Sequence, residues 1–286
     1  MPVEPPVASP RSLAEAYALL AEQPHRPVAG GTDLLVQITG ELGEPPGRVL
    51  DIWHLDELRG IRVESNALDV GALTTYAEVR RSPLIAEFLP AFAEAAATIG
   101  AAQIQNRGTI GGNVMNASPA GDMLPLLLAT DAQLVAGTAR GERWIPVRDF
   151  WPSYRKTALE PTELLLRISV PLVDGRQLRY RKVGTRRAQA ISKVVMALGW
   201  RADDATEAIW RNVHLALGSV AATPVRAPAT EAVLEGAVPT EAIADRAAST
   251  LAGEIEPIDD VRSSAAYRRT VAARVLHRLI RDEGGW

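Results

Sequence analysis

Two glycine pairs, Gly30-Gly31 and Gly111-Gly112, constrain this chain more than any other feature. They stand within Ala29-Gly30-Gly31-Thr32-Asp33 and Gly108-Thr109-Ile110-Gly111-Gly112-Asn113, and apolar sequence follows each. A residue without Cβ reaches positive φ freely and lets the backbone approach a ligand closely. Successive N–H groups in such turns form concavities suited to phosphate. Two of them imply a fold that holds one diphosphate from two sides. Neither is followed by the Lys-Ser or Lys-Thr of a P-loop, and neither reads G-x-G-x-x-G.

The 286 residues suggest about two domains, and 47% hydrophobic content suffices for a real core. A net charge of −3 gives no support for nucleic acid or an anionic membrane as partner. No apolar run approaches the ~20 residues that span a bilayer. The opening Met1-Pro2-Val3-Glu4 lacks a secretory pattern, so a cytoplasmic location is expected. Cysteine is absent, which excludes disulfides, thiolate catalysis and a cysteine-ligated iron–sulfur cluster in this chain. His25, His54, His214 and His277 have no ligand spacing, so no metal is expected.

Periodicity predicts helices over 12–23, opened by the Ser12/Glu15 capping box, and after Thr75/Glu78, 89–99 and 123–129. Short strands are expected over 26–29, 48–52, 68–71 and 164–170, with a hairpin from 132–136 to 143–146. Phe88, Phe92 and Ile99 mark the Ala-rich 89–99 segment as buried. The character changes near Val173-Asp174-Gly175. Three strand-length stretches, 178–183, 193–201 and 209–218, precede helical patterns at 227–234, 241–251 and 264–281. Asp203-Asp204 reads as a turn. Strands followed by helices indicate a separate α+β unit.

Ala29-Gly30-Gly31-Thr32-Asp33-Leu34-Leu35, then Thr109-Ile110-Gly111-Gly112-Asn113 with Ala117-Ser118-Pro119 and Asp122, resembles the FAD-binding subunits of molybdenum hydroxylases. Tyr154-Arg155-Lys156-Thr157, Glu163-Leu164-Leu165, Lys182 and Arg186-Arg187 continue the likeness, which covers essentially the whole chain. The stretch 150–171 is similar to xanthine dehydrogenases. The resemblance implies an α+β fold: a vanillyl-alcohol-oxidase/PCMH-type FAD-binding domain over 1–174, in subdomains of about 1–58 and 59–174. A small C-terminal α+β domain over 175–286, a three-stranded antiparallel sheet with helices, completes it.

Carried over residue by residue, the resemblance places Val28, Ala29, Gly30, Gly31, Thr32, Asp33, Leu34 and Leu35 along the FAD diphosphate. Thr109, Gly111, Gly112 and Asn113 hold the diphosphate and ribityl region from the other side, with Ile110 counted among the cofactor-binding residues. Asp122 takes a ribityl or ribose hydroxyl, since an ionised carboxylate accepts only. Ile99 and Leu165 border the flavin ring. Lys182 lies near its pyrimidine end, where a cation raises the potential. Each of these has a plainer reading. Asp33 and Asp122 directly precede apolar helical patterns, and for Asp33 the helix cap is favoured. Ile99 and Leu165 suit a core, and Ser118-Pro119 a turn. Lys182 suits a solvated strand, and the cluster Arg179, Arg181, Lys182, Arg186, Arg187 a solvated face or subunit contact. His25 precedes the first loop, but dissociable rather than histidine-linked FAD is expected.

The implied function is electron transfer in a heteromeric molybdenum hydroxylase. A molybdopterin-binding large subunit oxidises the substrate and a [2Fe-2S] small subunit relays electrons. This chain passes them to NAD+ or another acceptor. A xanthine dehydrogenase is favoured, with aldehyde, carbon monoxide and N-heterocycle dehydrogenases as alternatives. A self-sufficient flavin oxidoreductase would bring its own Tyr, His or Arg constellation, and none stands out. A nucleotide-binding module without redox turnover is the third class.

Overall fold

The computed structural model describes residues 5–40, 44–186, 189–203 and 208–286. Arg187 and Asp204 lie outside the described residues, as does the opening 1–4.

A small parallel sheet begins the chain. β1 (Val7–Ala8) and β2 (Arg26–Val28) flank β3 (Val49–Asp51), in the order β1-β3-β2. α1 (Leu13–Glu22) packs on it through Ala16 and Leu20, which join Leu50, Ile52 and Leu55 in one cluster. Ser12 caps α1 by accepting from Glu15 N, but Glu15 reaches back to Arg11 N rather than to Ser12, so the capping box is only half formed. α2 (Leu34–Thr39) follows the first glycine pair.

The second layer is a five-stranded antiparallel sheet, ordered β4-β5-β8-β6-β7. β4 (Ile61–Glu64) and β5 (Ala67–Gly71) precede the helices α3 (Tyr76–Arg81), α4 (Pro83–Phe88), α5 (Pro90–Thr98), α6 (Ala102–Gln105), α7 (Ile110–Asn116) and α8 (Leu124–Ala129). The hairpin β6 (Gln133–Thr138) to β7 (Gly141–Pro146) and β8 (Leu164–Pro171) complete it. Thr75 and Glu78 form a full capping box on α3. Phe88 departs from expectation: it ends α4, not the Ala-rich helix, and is 39% exposed. The expected boundaries at 58 and 174 fall just before β4 and just after β8.

The third unit has a four-stranded antiparallel sheet rather than three strands. Its order is β12-β11-β10-β9, from β9 (Arg176–Val183), β10 (Val194–Ala202), β11 (Trp210–Gly218) and β12 (Val225–Arg226). β12 is a two-residue pairing, too short for a periodicity to announce it. α9 (Pro228–Leu234), α10 (Glu241–Glu254) and α11 (Ala265–Gly284) cover one face. The unbroken apolar run in β10 has a physical cause, because both of its faces are buried. Val194, Met196, Leu198 and Trp200 pack in the cluster beneath α10 and α11. Val195 and Ala197 join the larger cluster around α8. Among the described residues, no helix is long and apolar enough to cross a membrane.

Candidate functional site

The two glycine segments meet but are built differently. In the first, the chain leaves β2 and runs so close to Arg107 that any Cβ on Gly30 would overlap its carbonyl. Gly31 then turns with φ +75°, a value other residues adopt only under strain. Among the described residues, no acceptor takes the N–H groups of Ala29, Gly30, Gly31, Thr32 or Asp33. Unpaired donors in succession leave a site for an anion.

In the second segment the amides of Gly108 and of residues 110–113 all donate to protein acceptors, which corrects the expectation of an open turn. Thr109 caps α7, and Gly111 and Gly112 lie inside that helix without positive φ. Ile110 N donates to Thr74 O at 3.0 Å, Gly111 N to Ala72 O at 2.9 Å and Asn113 N to Thr109 O at 3.1 Å. Gly112 N donates to the Thr109 hydroxyl at 3.0 Å. Gly111 is required because α7 lies on Ala72, whose carbonyl would stand 2.5 Å from a Cβ there. What this side turns to the ligand is side chain. Asn113 Oδ1 is buried without a partner.

Between the segments lies a cavity of about 800 Å³. Val28, Ala29, Gly30, Gly31, Thr32, Asp33, Leu34, Ile99, Thr109, Gly111, Gly112, Asn113, Asp122, Leu165 and Lys182 all line it. Leu35 and Ile110 do not. Leu35 is 54% exposed, on the far side of Gly31, and Ile110 is fully buried in the core, where α7 turns it inward. Ile99 is half-buried against the same core, and Leu165 belongs to it while also reaching the cavity wall.

Asp122 and Lys182, expected at separate parts of a ligand, are joined. Lys182 Nζ donates to Asp122 Oδ2 at 2.6 Å and to Thr98 O at 3.0 Å. Both side chains are nearly buried, at 8% and 10% exposure, so Lys182 is not a solvated strand residue. Burial pushes the Asp122 carboxyl above its usual range, while Lys182 and the neighbouring Ser192 hydroxyl hold it down. Its Oδ1 is left buried without a bond. Nor is Asp122 the cap of α8, where Met123 takes that position. Burial also lifts the phenols of Tyr76 and Tyr180 well above 10.0, and the charge of Asp122 adds to both shifts.

Asp33 stands at the N-cap position of α2 but makes no side-chain cap bond. It accepts instead from Asn116 Nδ2 at 2.9 Å, and Arg155 Nη1 donates to Asn116 Oδ1 at 3.1 Å. Burial raises the Asp33 carboxyl, and Arg155 opposes that rise. Asn116 was not among the expected site residues, although it follows Asn113 by three positions and so shares its helix face. Tyr154 and Arg155 also reach the cavity. From the C-terminal unit, Ser192, Ser219, Asp260 and Arg268 line it too, and no local signal in the sequence marks them. Among the described residues, no cluster of His, Asp and Glu could hold a metal ion.

The arrangement suits an elongated ligand with a polyanionic middle, hydroxyl groups and a flat apolar end. Among the described residues the amides of 29–33 stand free, Asn113 and Asp122 offer unfilled acceptors, and Ile99 and Leu165 supply apolar wall. The family described as FAD binding domain in molybdopterin dehydrogenase matches residues 3–173. The family described as CO dehydrogenase flavoprotein C-terminal domain matches residues 179–282. The chain is 31% identical over 289 residues to the nicotinate dehydrogenase FAD-subunit of Eubacterium barkeri, covering 97% of each. It is 29% identical to the xanthine dehydrogenase FAD-binding subunit of Escherichia coli O157:H7, covering 96% of this chain and 95% of that one. A solved structure of carbon monoxide dehydrogenase from Hydrogenophaga pseudoflava superposes with a TM-score of 0.91 at 31% identity, covering 97% of this chain and 96% of that one.

Proposed function

Because this chain belongs to the FAD-binding subunits of the molybdenum hydroxylase family, we propose that its cavity holds FAD at the outlet of an electron chain that begins in other polypeptides. The observation that carries the reading is the row of unpaired amides at residues 29–33, opening on the same cavity as the buried Lys182. FAD supplies a two-electron carrier that can also accept electrons singly.

This chain's own residues do the positioning. The amides from Ala29 to Asp33 donate to the diphosphate, where charge-assisted bonds are strong and need no side-chain bulk. Asn113 Oδ1 and Asp122 Oδ1 accept from ribityl or ribose hydroxyls, which relieves two buried unfilled acceptors. Ile99 and Leu165 border the ring and exclude water from it. Lys182, anchored by Asp122 and Thr98 O, would set its positive charge beside a bound flavin and raise its potential. In this reading residues 1–174 form the FAD-binding domain, in subdomains dividing at about 58, and 175–286 a domain that closes its end.

The partners are a molybdopterin-binding subunit that oxidises the substrate and a [2Fe-2S] subunit that delivers electrons, in the cytoplasm, with NAD+ or another acceptor taking them onward. The absence of cysteine supports clusters lying elsewhere. The likeness of residues 150–171 to xanthine dehydrogenases supports a purine substrate. Purification with native partners tests this directly. FAD, iron and molybdenum should co-purify, and xanthine should reduce NAD+ faster than nicotinate, an aldehyde or carbon monoxide does. A colourless preparation without FAD affinity sinks the reading. Preference for another of these substrates would overturn the purine assignment alone.

A further inference from the structure

The C-terminal unit reaches the cavity through one buried cation with no assigned task. Arg268 on α11 is 5% exposed. Its Nη1 donates to Ser219 O at 2.6 Å and its Nη2 to Asp260 Oδ1 at 2.7 Å, while its Nε is buried without a partner. Ser219 follows β11 with φ +66°, a conformation that persists in a non-glycine residue only when its surroundings over-determine it. Its N–H donates to Pro119 O at 2.7 Å, and its hydroxyl bonds Ser192 O at 3.0 Å. The Ser192 hydroxyl in turn donates to Ala120 O at 3.2 Å and lies 3.0 Å from that of Ser219. Pro119 and Ala120 form the turn that delivers Asp122, with Gly121 N returning to Ser118 O at 2.9 Å. A charged group in α11 is thus tied, bond by bond, to the turn carrying the Asp122–Lys182 pair.

We propose that Arg268 is a positioning residue for the flavin site, holding Ser219 in its strained conformation and through it fixing the 118–121 turn and the Asp122–Lys182 pair. The inference rests on the cavity being an FAD site. Three features support it over a purely structural role. Arg268 bonds the carbonyl of the strained residue itself. Its bond to Asp260 offsets a buried charge, which keeps the guanidinium in place rather than searching for solvent. And Ser192, at the end of the relay, donates to Ala120 O, two residues before Asp122.

The test uses the full chain reconstituted with FAD. Arg268→Met keeps length and removes every donor, and Arg268→Lys restores a cation. Leu276→Ala, a fully buried site on the same helix, serves as a control for destabilisation alone. The expected result for Arg268→Met is FAD dissociating at least fivefold faster, with a displaced long-wavelength flavin absorption band that Arg268→Lys partly restores. Leu276→Ala should lower the unfolding temperature without displacing the band. Ser192→Ala leaves both Arg268 bonds intact and should displace the band in the same direction, so the proposal remains open to refutation even where Arg268→Met fails to fold. An unmoved band in folded Arg268→Met or in Ser192→Ala overturns the proposal. Failure of the unmodified chain to bind FAD would instead overturn the cofactor assignment beneath it.

Discussion

The loop at Gly30-Gly31 and the helix at Gly111-Gly112 look alike in the sequence and face one cavity, yet they spend their glycines in opposite ways. The first uses them to pass the Arg107 carbonyl and turn through positive φ, leaving the amides of residues 29–33 without partners among the described residues. The second uses Gly111 to settle a helix onto Ala72, and the amides of residues 110–113 are all engaged. One segment is a donor surface in a conformation that glycine takes without strain; the other is packing that happens to present Asn113. A glycine pair therefore marks a close approach, and only the hydrogen-bond ledger tells whether ligand or protein is approached.

Substitutions can break this comparison. Gly30→Ala is expected to have the largest effect, because its Cβ collides with rigid backbone and the donor loop must move away. FAD affinity should fall about a hundredfold or more, near 2.7 kcal/mol, by flavin fluorescence titration. Retained affinity would show that the loop is not the anion cradle. Gly111→Ala should act first on stability, costing about 1–3 kcal/mol by overpacking, read as a lower unfolding temperature of the apoprotein. A loss of FAD affinity with unchanged stability would erase the distinction between the two segments.

A smaller effect should follow pH. The Asp33 carboxyl is raised by burial, so between the unfolded value near 3.8 and the native value the folded chain holds a proton that the unfolded chain has released. That contribution is fully present below 3.8 and is lost as pH rises through the native value. Asp33→Asn keeps an acceptor for Asn116 and should gain stability relative to the unmodified chain as pH rises across that window. Urea unfolding at several pH values reads the difference, and a constant difference would count against it. Gly112→Ala should matter least. Its nearest obstacle is the Thr109 hydroxyl at 3.0 Å, and alanine's helix preference of up to about 1 kcal/mol opposes that strain. Near-native FAD affinity and stability are expected from the same two assays.

Much of the fold was legible because its elements carry local signals. The Ser12 and Thr75 caps, the 133–146 hairpin and the apolar runs of β8, β10 and β11 all appear where the pattern puts them. α7 was not, because glycines at two of its first three positions disguise a helix whose stability comes from packing on Ala72 rather than from propensity. Most of the cavity wall was legible through the resemblance, but the pairing of Asp122 with Lys182 was not. They lie 60 positions apart, and only the docking of the C-terminal sheet against α5 and α8 brings them together. Ile110 fails for a simple reason: in a helix, the neighbour of a lining residue points elsewhere. Arg268 and Ser219 leave no local trace because their part depends on the meeting of two separate units.

β10 has a further consequence. Two families describe this chain as a pair of adjoining pieces, 3–173 and 179–282. Yet Val195, Ala197 and Ala216 share a core with α8, while their neighbours Val194, Met196 and Leu217 belong to the core under α10 and α11. The sheet is a party wall, and removing either room leaves one side of it wet. The boundary that separates the pieces in descent is then no seam in thermodynamics. Melting should run as one cooperative event, seen as a single calorimetric peak rather than two, and FAD bound in one room should steady the other.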